Sequence, residues 1–196
     1  MAIKEILSGI AMLLTFIAFA PYIRSVLSGT VKPHIFSWAI WGITTCSVFF
    51  AQLADNGGAG AWAIGFSGSI TLFIAILAYN KRGDITITTS DWVFFSAALA
   101  ALPIWFFTNN PIWAVIVLTS VDLLGFGPTI RKTWHHPYSE SLTFMVLFLL
   151  RNLLVLTALE HYSVTTALFP AAVAAALVGL IAMMVWRRGR QQGISQ

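Results

Sequence analysis

The sequence predicts an all-α integral membrane protein with seven transmembrane helices, built as two parallel triple-helix repeats joined by a linker helix. Three observations predict this fold. Hydrophobic residues make up 58% of the 196 residues and charged residues only 9%, with a mean hydropathy of +0.83. Four long stretches carry no charge at all. A sparse internal repeat relates the two halves of the chain. Soluble domains do not have this composition.

Each predicted helix is an apolar run of about 20 residues, the length that crosses a bilayer. The seven runs lie at 5–26, 33–54, 58–79, 91–108, 111–131, 140–159 and 163–187. Short breaks rich in glycine, proline and polar residues separate the runs, so neighbouring helices are expected to run antiparallel. We expect the first run to be retained and not cleaved, because Pro21 directly follows the signal-peptide-like box at 18–20.

The basic residues predict the orientation of the chain. With seven crossings, most of them fall on the side of the C-terminus, and Lys4 falls on the other side. The positive-inside rule then predicts an outside N-terminus and a cytoplasmic C-terminus, and a bacterial plasma membrane is the expected location. The basic residues on the predicted cytoplasmic side are Arg24, Lys32, Lys81, Arg82, Arg131, Lys132, Arg187, Arg188 and Arg190.

Several classes of function are disfavoured. The net charge of +4 is confined to short loops, which argues against nucleic-acid binding. The single cysteine, Cys46, lies in an apolar run, so neither a disulfide framework nor a thiolate metal site is expected. The sequence has no HExxH motif and no pair of aspartates, so we predict no enzyme, no metal and no cofactor. A homo-oligomer is compatible with the sequence.

The internal repeat appears at a shift of 107 residues. It aligns Phe19 with Phe126, Pro21 with Pro128 and Arg24 with Arg131. Because one helix lies between the two triplets, both copies are expected to have the same orientation. The predicted organisation is therefore a first repeat at 1–83, a linker helix at 84–110, a second repeat at 111–190 and a cytoplasmic tail at 191–196.

These features resemble the SWEET and PQ-loop superfamily of seven-helix membrane proteins. Pro21 and Pro128 occupy the proline positions of its motif, although Tyr22 and Thr129 replace the usual glutamine. The resemblance implies two triple-helix bundles joined by an inversion linker, with the third helix of each bundle between the first two. The asparagine pair of the sugar carriers is missing, so the substrate class stays open.

Two charges inside the predicted helices are the strongest functional signal. Asp122 and Arg151 each lie near the midplane of the bilayer, where a bare charge costs at least about 2.5 kcal/mol. They are expected to pair with each other or to face a wet cavity. In the functional interpretation, Arg151 binds an anionic or zwitterionic solute while Asp122 orients it or exchanges a proton. In the structural interpretation, the two form a permanent ion pair.

Further residues complete the predicted substrate site. The shift of 107 places Thr15, Thr44 and Thr45 at the positions equivalent to Asp122, Arg151 and Asn152, and all six are predicted to line the site. Trp41 joins them as an aromatic wall or, equally, as an interfacial anchor. Trp38, nearer the start of its helix, is expected to be an anchor at the membrane interface.

Pro21 and Pro128 are predicted to be hinges, because each removes a backbone donor near the end of its helix. A static kink is the alternative. For the whole chain, the sequence favours a transporter that works by alternating access between the repeats. The alternative is a receptor or interaction module that binds a ligand without moving it.

Overall fold

The computed structural model describes residues 2–29, 35–81, 111–135, 137–138 and 140–194, and single positions at 89, 92, 93, 96, 100, 103 and 107. Within these residues the chain is all-helical. Most of the predicted linker helix at 91–108 lies outside the described residues, as do Lys32 and Arg82. The described helices are α1 (Ala2–Leu27), α2 (Ile35–Ala54), α3 (Ala59–Asn80), α4 (Pro111–Leu124), α5 (Phe126–His135), α6 (Leu142–Ala158) and α7 (Val164–Ile194).

The single helix predicted at 111–131 is wrong, because the chain breaks at Gly125 into α4 and α5. A Cβ at Gly125 would overlap the indole nitrogen of Trp41, so only glycine allows α2 to approach this turn so closely. The prediction missed the break because the apolar run continues through it. At the other end of the chain, α7 continues to Ile194, well beyond the predicted limit of 187.

The tight turn between α2 and α3 depends on two residues with positive φ. Asn56 has φ 55° and Gly58 has φ 63°, the region that asparagine and glycine tolerate best. At the start of α6, the Ser141 side chain accepts a hydrogen bond from the backbone N–H of Phe144 at 3.2 Å, a typical N-cap. These local signals set where the helices begin and end.

The helices α3 and α7 each pack against two neighbouring helices. α3 packs against α1 and α2, and α7 packs against α4 and α6. The halves meet where α1 packs on α6 and α2 packs on α4. Small residues allow the close contacts, since Gly65 lies against Phe49 and Gly68 lies against Cys46.

The surface of the bundle is apolar and part of its interior is polar. Large side chains such as Ile3, Phe16 and Trp62 are exposed, whereas Asp122 and Arg151 are buried. Three segments, Ile3–Leu27, Ala59–Asn80 and Val164–Gln191, are long and apolar enough to cross a bilayer, and α2, α4 and α6 contain shorter apolar helices. This distribution is compatible with an integral membrane protein.

Candidate functional site

Asp122 lies in the last turns of α4 and is only 5% exposed. Its Oδ1 accepts a hydrogen bond of 2.9 Å from the Thr44 hydroxyl of α2. That hydroxyl also lies 3.1 Å from the carbonyl oxygen of Trp41, so its one proton is shared between two acceptors. Among the described residues, no basic side chain pairs with the carboxyl. Within the described residues, the hydroxyl of Thr44 is thus the one side-chain donor to Asp122.

Arg151 lies in α6 and is 1% exposed. One terminal nitrogen donates to Asn152 Oδ1 at 3.1 Å, and the other donates to the Ala63 carbonyl oxygen of α3 at 2.8 Å. The guanidinium carbon lies 5.2 Å from the centre of the Phe148 ring. The Nε atom is buried without a hydrogen-bond partner. The positive charge thus meets neutral groups only within the described part of the chain.

Asp122 and Arg151 do not form an ion pair. Both side chains are described, and the partners given above are other residues. The packing explains this separation, because α4 and α6 each pack on α7. The equal depth predicted from the sequence does not bring the two side chains into contact, and the structural interpretation as a permanent ion pair is wrong.

Three other predicted site residues are buried, with separate contacts. Asn152 joins Arg151, and its Nδ2 donates to the Phe148 carbonyl oxygen at 2.8 Å. Thr15 donates to the Ala11 carbonyl oxygen of its own helix at 2.8 Å. The methyl group of Thr45 lies against α3 beside Gly68. The structure therefore joins Asn152 to Arg151, and it records no contact of Thr15 or Thr45 with either charge.

Seven aromatic side chains form a continuous cluster between the two charges. We call this the aromatic cluster, and its members are Phe19, Tyr22, Trp38, Trp41, Phe126, Phe144 and Phe148. Trp41 contacts Phe126 with ring centres 6.3 Å apart, close to Asp122 in sequence. At the other end, Phe19 contacts Phe148 at 5.7 Å, and the Phe148 ring faces the Arg151 guanidinium. The cluster therefore connects α1, α2, α5 and α6.

Trp38 is not an interfacial anchor, and that prediction is wrong. It is 8% exposed, and its ring lies 6.1 Å from that of Phe19 and 4.9 Å from that of Tyr22. Aromatic partners on α1 bury it although it lies near the start of its own helix. Trp41 is partly buried and contacts Trp38 and Phe126, and its role in a substrate site stays a prediction.

The two predicted hinge prolines occupy different local structures. Pro21 lies inside the unbroken α1, and its carbonyl oxygen accepts a hydrogen bond from Ser25 at 2.9 Å. Pro128 lies in the first turn of α5, where a missing N–H costs no helical hydrogen bond. Near Pro128, the chain breaks at Gly125, three residues earlier. The hinge assignment of both prolines stays a prediction.

A polar cluster joins the α2–α3 loop to the α6–α7 loop. We call this the loop cluster, and its members are Asp55, His161, Ser163 and Thr166. Ser163 donates to a carboxylate oxygen of Asp55, and His161 Nδ1 lies 3.8 Å from the same oxygen. The Thr166 hydroxyl donates to the His161 carbonyl oxygen at 2.7 Å. The loop cluster therefore ties the first half of the chain to the second.

Three further contacts support the loop cluster. Gln52 donates to the Thr166 carbonyl oxygen at 2.6 Å, and the Glu160 N–H donates to the Gly57 carbonyl oxygen at 3.3 Å. Lys4 donates to the Leu159 carbonyl oxygen. In the sequence these residues look like ordinary polar residues of loops and helix ends, so no site prediction includes them. Their only sequence signal is that charged groups flank two loops on the same predicted side of the membrane.

Comparisons of this chain with family profiles, with curated proteins and with solved structures return no match.

The hydrogen bond to Asp122 can be tested by matched threonine substitutions. Thr44→Val removes the donor to a buried carboxyl and should lower the free energy of unfolding by about 1 to 3 kcal/mol. Thr15→Val is the control, because its hydroxyl bonds only to its own helix, and we expect a change below about 0.5 kcal/mol. Unfolding in mixed detergent micelles measures both. Equal losses would show that Thr44 does not support Asp122.

Proposed function

We propose that this chain is an integral membrane transporter that moves a small solute by alternating access between two three-helix repeats. The observation that carries the proposal is the burial of Arg151 together with its unpaired Nε. A fully buried guanidinium with a free Nε, and no carboxylate partner among the described residues, is suited to bind an anionic group. Ionisable groups buried inside membrane helices usually mark substrate or proton pathways.

The helix packing supports the proposed repeats. If α1, α2 and α3 form one repeat, and α4 with α5, α6 and α7 form the other, the third helix lies between the first two in both. The contacts between the halves are also reciprocal. The first helix of each repeat packs on the second helix of the other. This arrangement is what a parallel duplication related by a two-fold axis produces.

One pair of side-chain contacts supports the duplication independently. A shift of 107 residues converts Trp41 into Phe148 and Phe126 into Phe19. The contact between Trp41 and Phe126, at 6.3 Å, therefore corresponds to the contact between Phe148 and Phe19, at 5.7 Å. The same shift that aligns the prolines thus maps one interface between the repeats onto the other. This agrees with the resemblance to the SWEET and PQ-loop superfamily.

In this proposal the solute binds near the midplane, where the repeats meet. Arg151 holds its anionic group through Nε, and Asn152 and the Ala63 carbonyl oxygen fix the guanidinium. Asp122 orients a cationic group of a zwitterion or exchanges a proton, and Thr44 positions its carboxyl. Trp41 and its aromatic neighbours border the path toward α5. With the N-terminus outside, the loop cluster lies at the outer end and closes it.

The decisive experiment combines ligand binding with flux. The purified chain is screened for thermal stabilisation by carboxylates, amino acids and other small zwitterions, since saturation at 100 times the dissociation constant adds about 2.7 kcal/mol. Each ligand found is then tested as a labelled solute for counterflow into sealed proteoliposomes. We expect saturable flux that protein-free liposomes lack. Binding without flux would contradict the transporter and favour the receptor alternative.

A further inference from the structure

A basic and aromatic surface lies where the apolar part of α7 ends. We call it the arginine patch, and it consists of Arg187, Arg188 and Arg190 together with Trp134, Tyr138 and Trp186. Each guanidinium lies over a ring, at 5.0 Å for Arg187 over Trp134, 4.8 Å for Arg188 over Tyr138 and 4.5 Å for Arg190 over Trp186. Three such stackings within four residues are dense, since significant cation–π pairs occur about once per 70 residues.

Two of these arginine side chains are held in place by hydrogen bonds to backbone carbonyl oxygens. Arg187 Nε donates to the Trp134 carbonyl oxygen at 2.9 Å. Arg188 donates to the carbonyl oxygens of Pro137 and Glu140, both at 2.9 Å. These bonds leave both terminal nitrogens of Arg187 without a partner among the described residues, and the same is true of every nitrogen of Arg190. Positioned guanidinium groups with spare donors are suited to bind phosphate.

The surroundings of the patch favour a lipid over a free anion. Trp134 and Trp186 are 42% and 43% exposed, and Ile130, which shares a face of α5 with Trp134, is 42% exposed. Exposed indole rings beside a basic group are typical of the membrane interface. An amphipathic ligand can place its phosphate on the arginines and an acyl chain along these apolar side chains.

We propose that the arginine patch binds the phosphate headgroup of an anionic phospholipid. Trp134 and Trp186 hold the guanidinium planes, and the free nitrogens of Arg187 and Arg190 bind the phosphate oxygens. This inference depends on insertion into a membrane and not on transport, so it fails or succeeds separately from the proposed carrier activity. The proposal places α5 and the end of α7 at the membrane–water interface. There they set how deeply α4 to α7 insert into the bilayer.

The test measures lipid binding to the full chain in neutral detergent by native mass spectrometry. The probes are phosphatidylglycerol, phosphatidylcholine and inorganic phosphate. Since a basic residue at a membrane surface contributes about fivefold to the binding of anionic lipid, Arg187→Gln with Arg190→Gln should weaken phosphatidylglycerol binding by about 30-fold. The matched control removes two exposed charges that lie at the ends of α1 and α3, by Arg24→Gln with Lys81→Gln. It should change binding by less than about threefold.

Three results would overturn the proposal. Equal losses in both double variants would mean a diffuse surface potential and no local site. Equal binding of phosphatidylcholine would exclude recognition of the anionic headgroup, and displacement of the lipid by millimolar inorganic phosphate would indicate a site for the free ion. If the glutamine variant does not fold, Arg187→Lys with Arg190→Lys replaces it. Several-fold weaker binding then supports the stacked geometry, and unchanged binding overturns it.

Discussion

Arg151→Met should reduce solute flux by about 10- to 100-fold while the protein keeps its stability. The loss follows from removing the charge-assisted hydrogen bond from Nε to the anionic group of the proposed solute, which contributes about 1.5 to 3 kcal/mol. Stability is expected to change little, because removing the desolvation cost of a buried guanidinium with an unpaired Nε offsets the loss of its hydrogen bonds to Asn152 and Ala63. Methionine fills a similar length without that desolvation cost. Counterflow in proteoliposomes and the midpoint of thermal unfolding measure the two effects.

Arg151→Lys separates charge from geometry at the same position. Lysine keeps the positive charge but loses the planar fork that contacts Asn152, Ala63 and the Phe148 ring. We expect flux between that of the wild type and that of the methionine variant. Asn152→Leu tests whether the guanidinium must be held in place, because it removes the acceptor for one terminal nitrogen of Arg151. We expect it to raise the solute concentration needed for half-maximal flux. Wild-type flux in Arg151→Met would exclude Arg151 from the site.

The apolar runs in the sequence predict most helices because crossing a bilayer requires a fixed length. α1, α2, α3 and α6 begin and end within about three residues of the predicted limits. The break at Gly125 follows from the contact with Trp41, which is 84 positions away in the sequence. No local pattern records that contact. α7 is longer than predicted because a helix can continue into water once the apolar segment ends.

The candidate site was predictable as a set of residues and not as a set of contacts. Asp122 and Arg151 are conspicuous in the sequence because charges are costly inside apolar helices. Equal depth suggested that they pair, but depth does not specify which helix faces which. The bond from Thr44 to Asp122 and the bond from Arg151 to Ala63 both depend on how the helices rotate and pack. The loop cluster joins residues about 108 positions apart, and their shared predicted side of the membrane does not specify which side chains meet.

A disulfide across the loop cluster should reduce flux in the proposed transporter by holding this end of the bundle closed. The side chains of Asp55 and Ser163 are hydrogen-bonded to each other, so cysteines at both positions are the pair to test for a disulfide, which forms when the Cβ atoms approach to about 3.5 to 4.5 Å. Alternating access requires this end to open in every cycle. In a Cys46→Ala background, Asp55→Cys with Ser163→Cys should lose flux on the order of tenfold or more after oxidation. Reduction should restore it.

The reduced double variant and the two single cysteine variants control for loss of the polar contacts themselves. Weaker contacts at the loop cluster favour opening of this end of the bundle. These variants should therefore retain flux as long as their cysteines are in the thiol form. The hydrogen bond from Glu160 to Gly57 joins backbone atoms and does not involve the substituted side chains, so we expect the loops to keep their register in these variants. Undiminished flux after complete oxidation would mean that this end of the bundle does not open during transport. The path would then have to avoid the contact between the two loops, and α2 and α7 would move as one body.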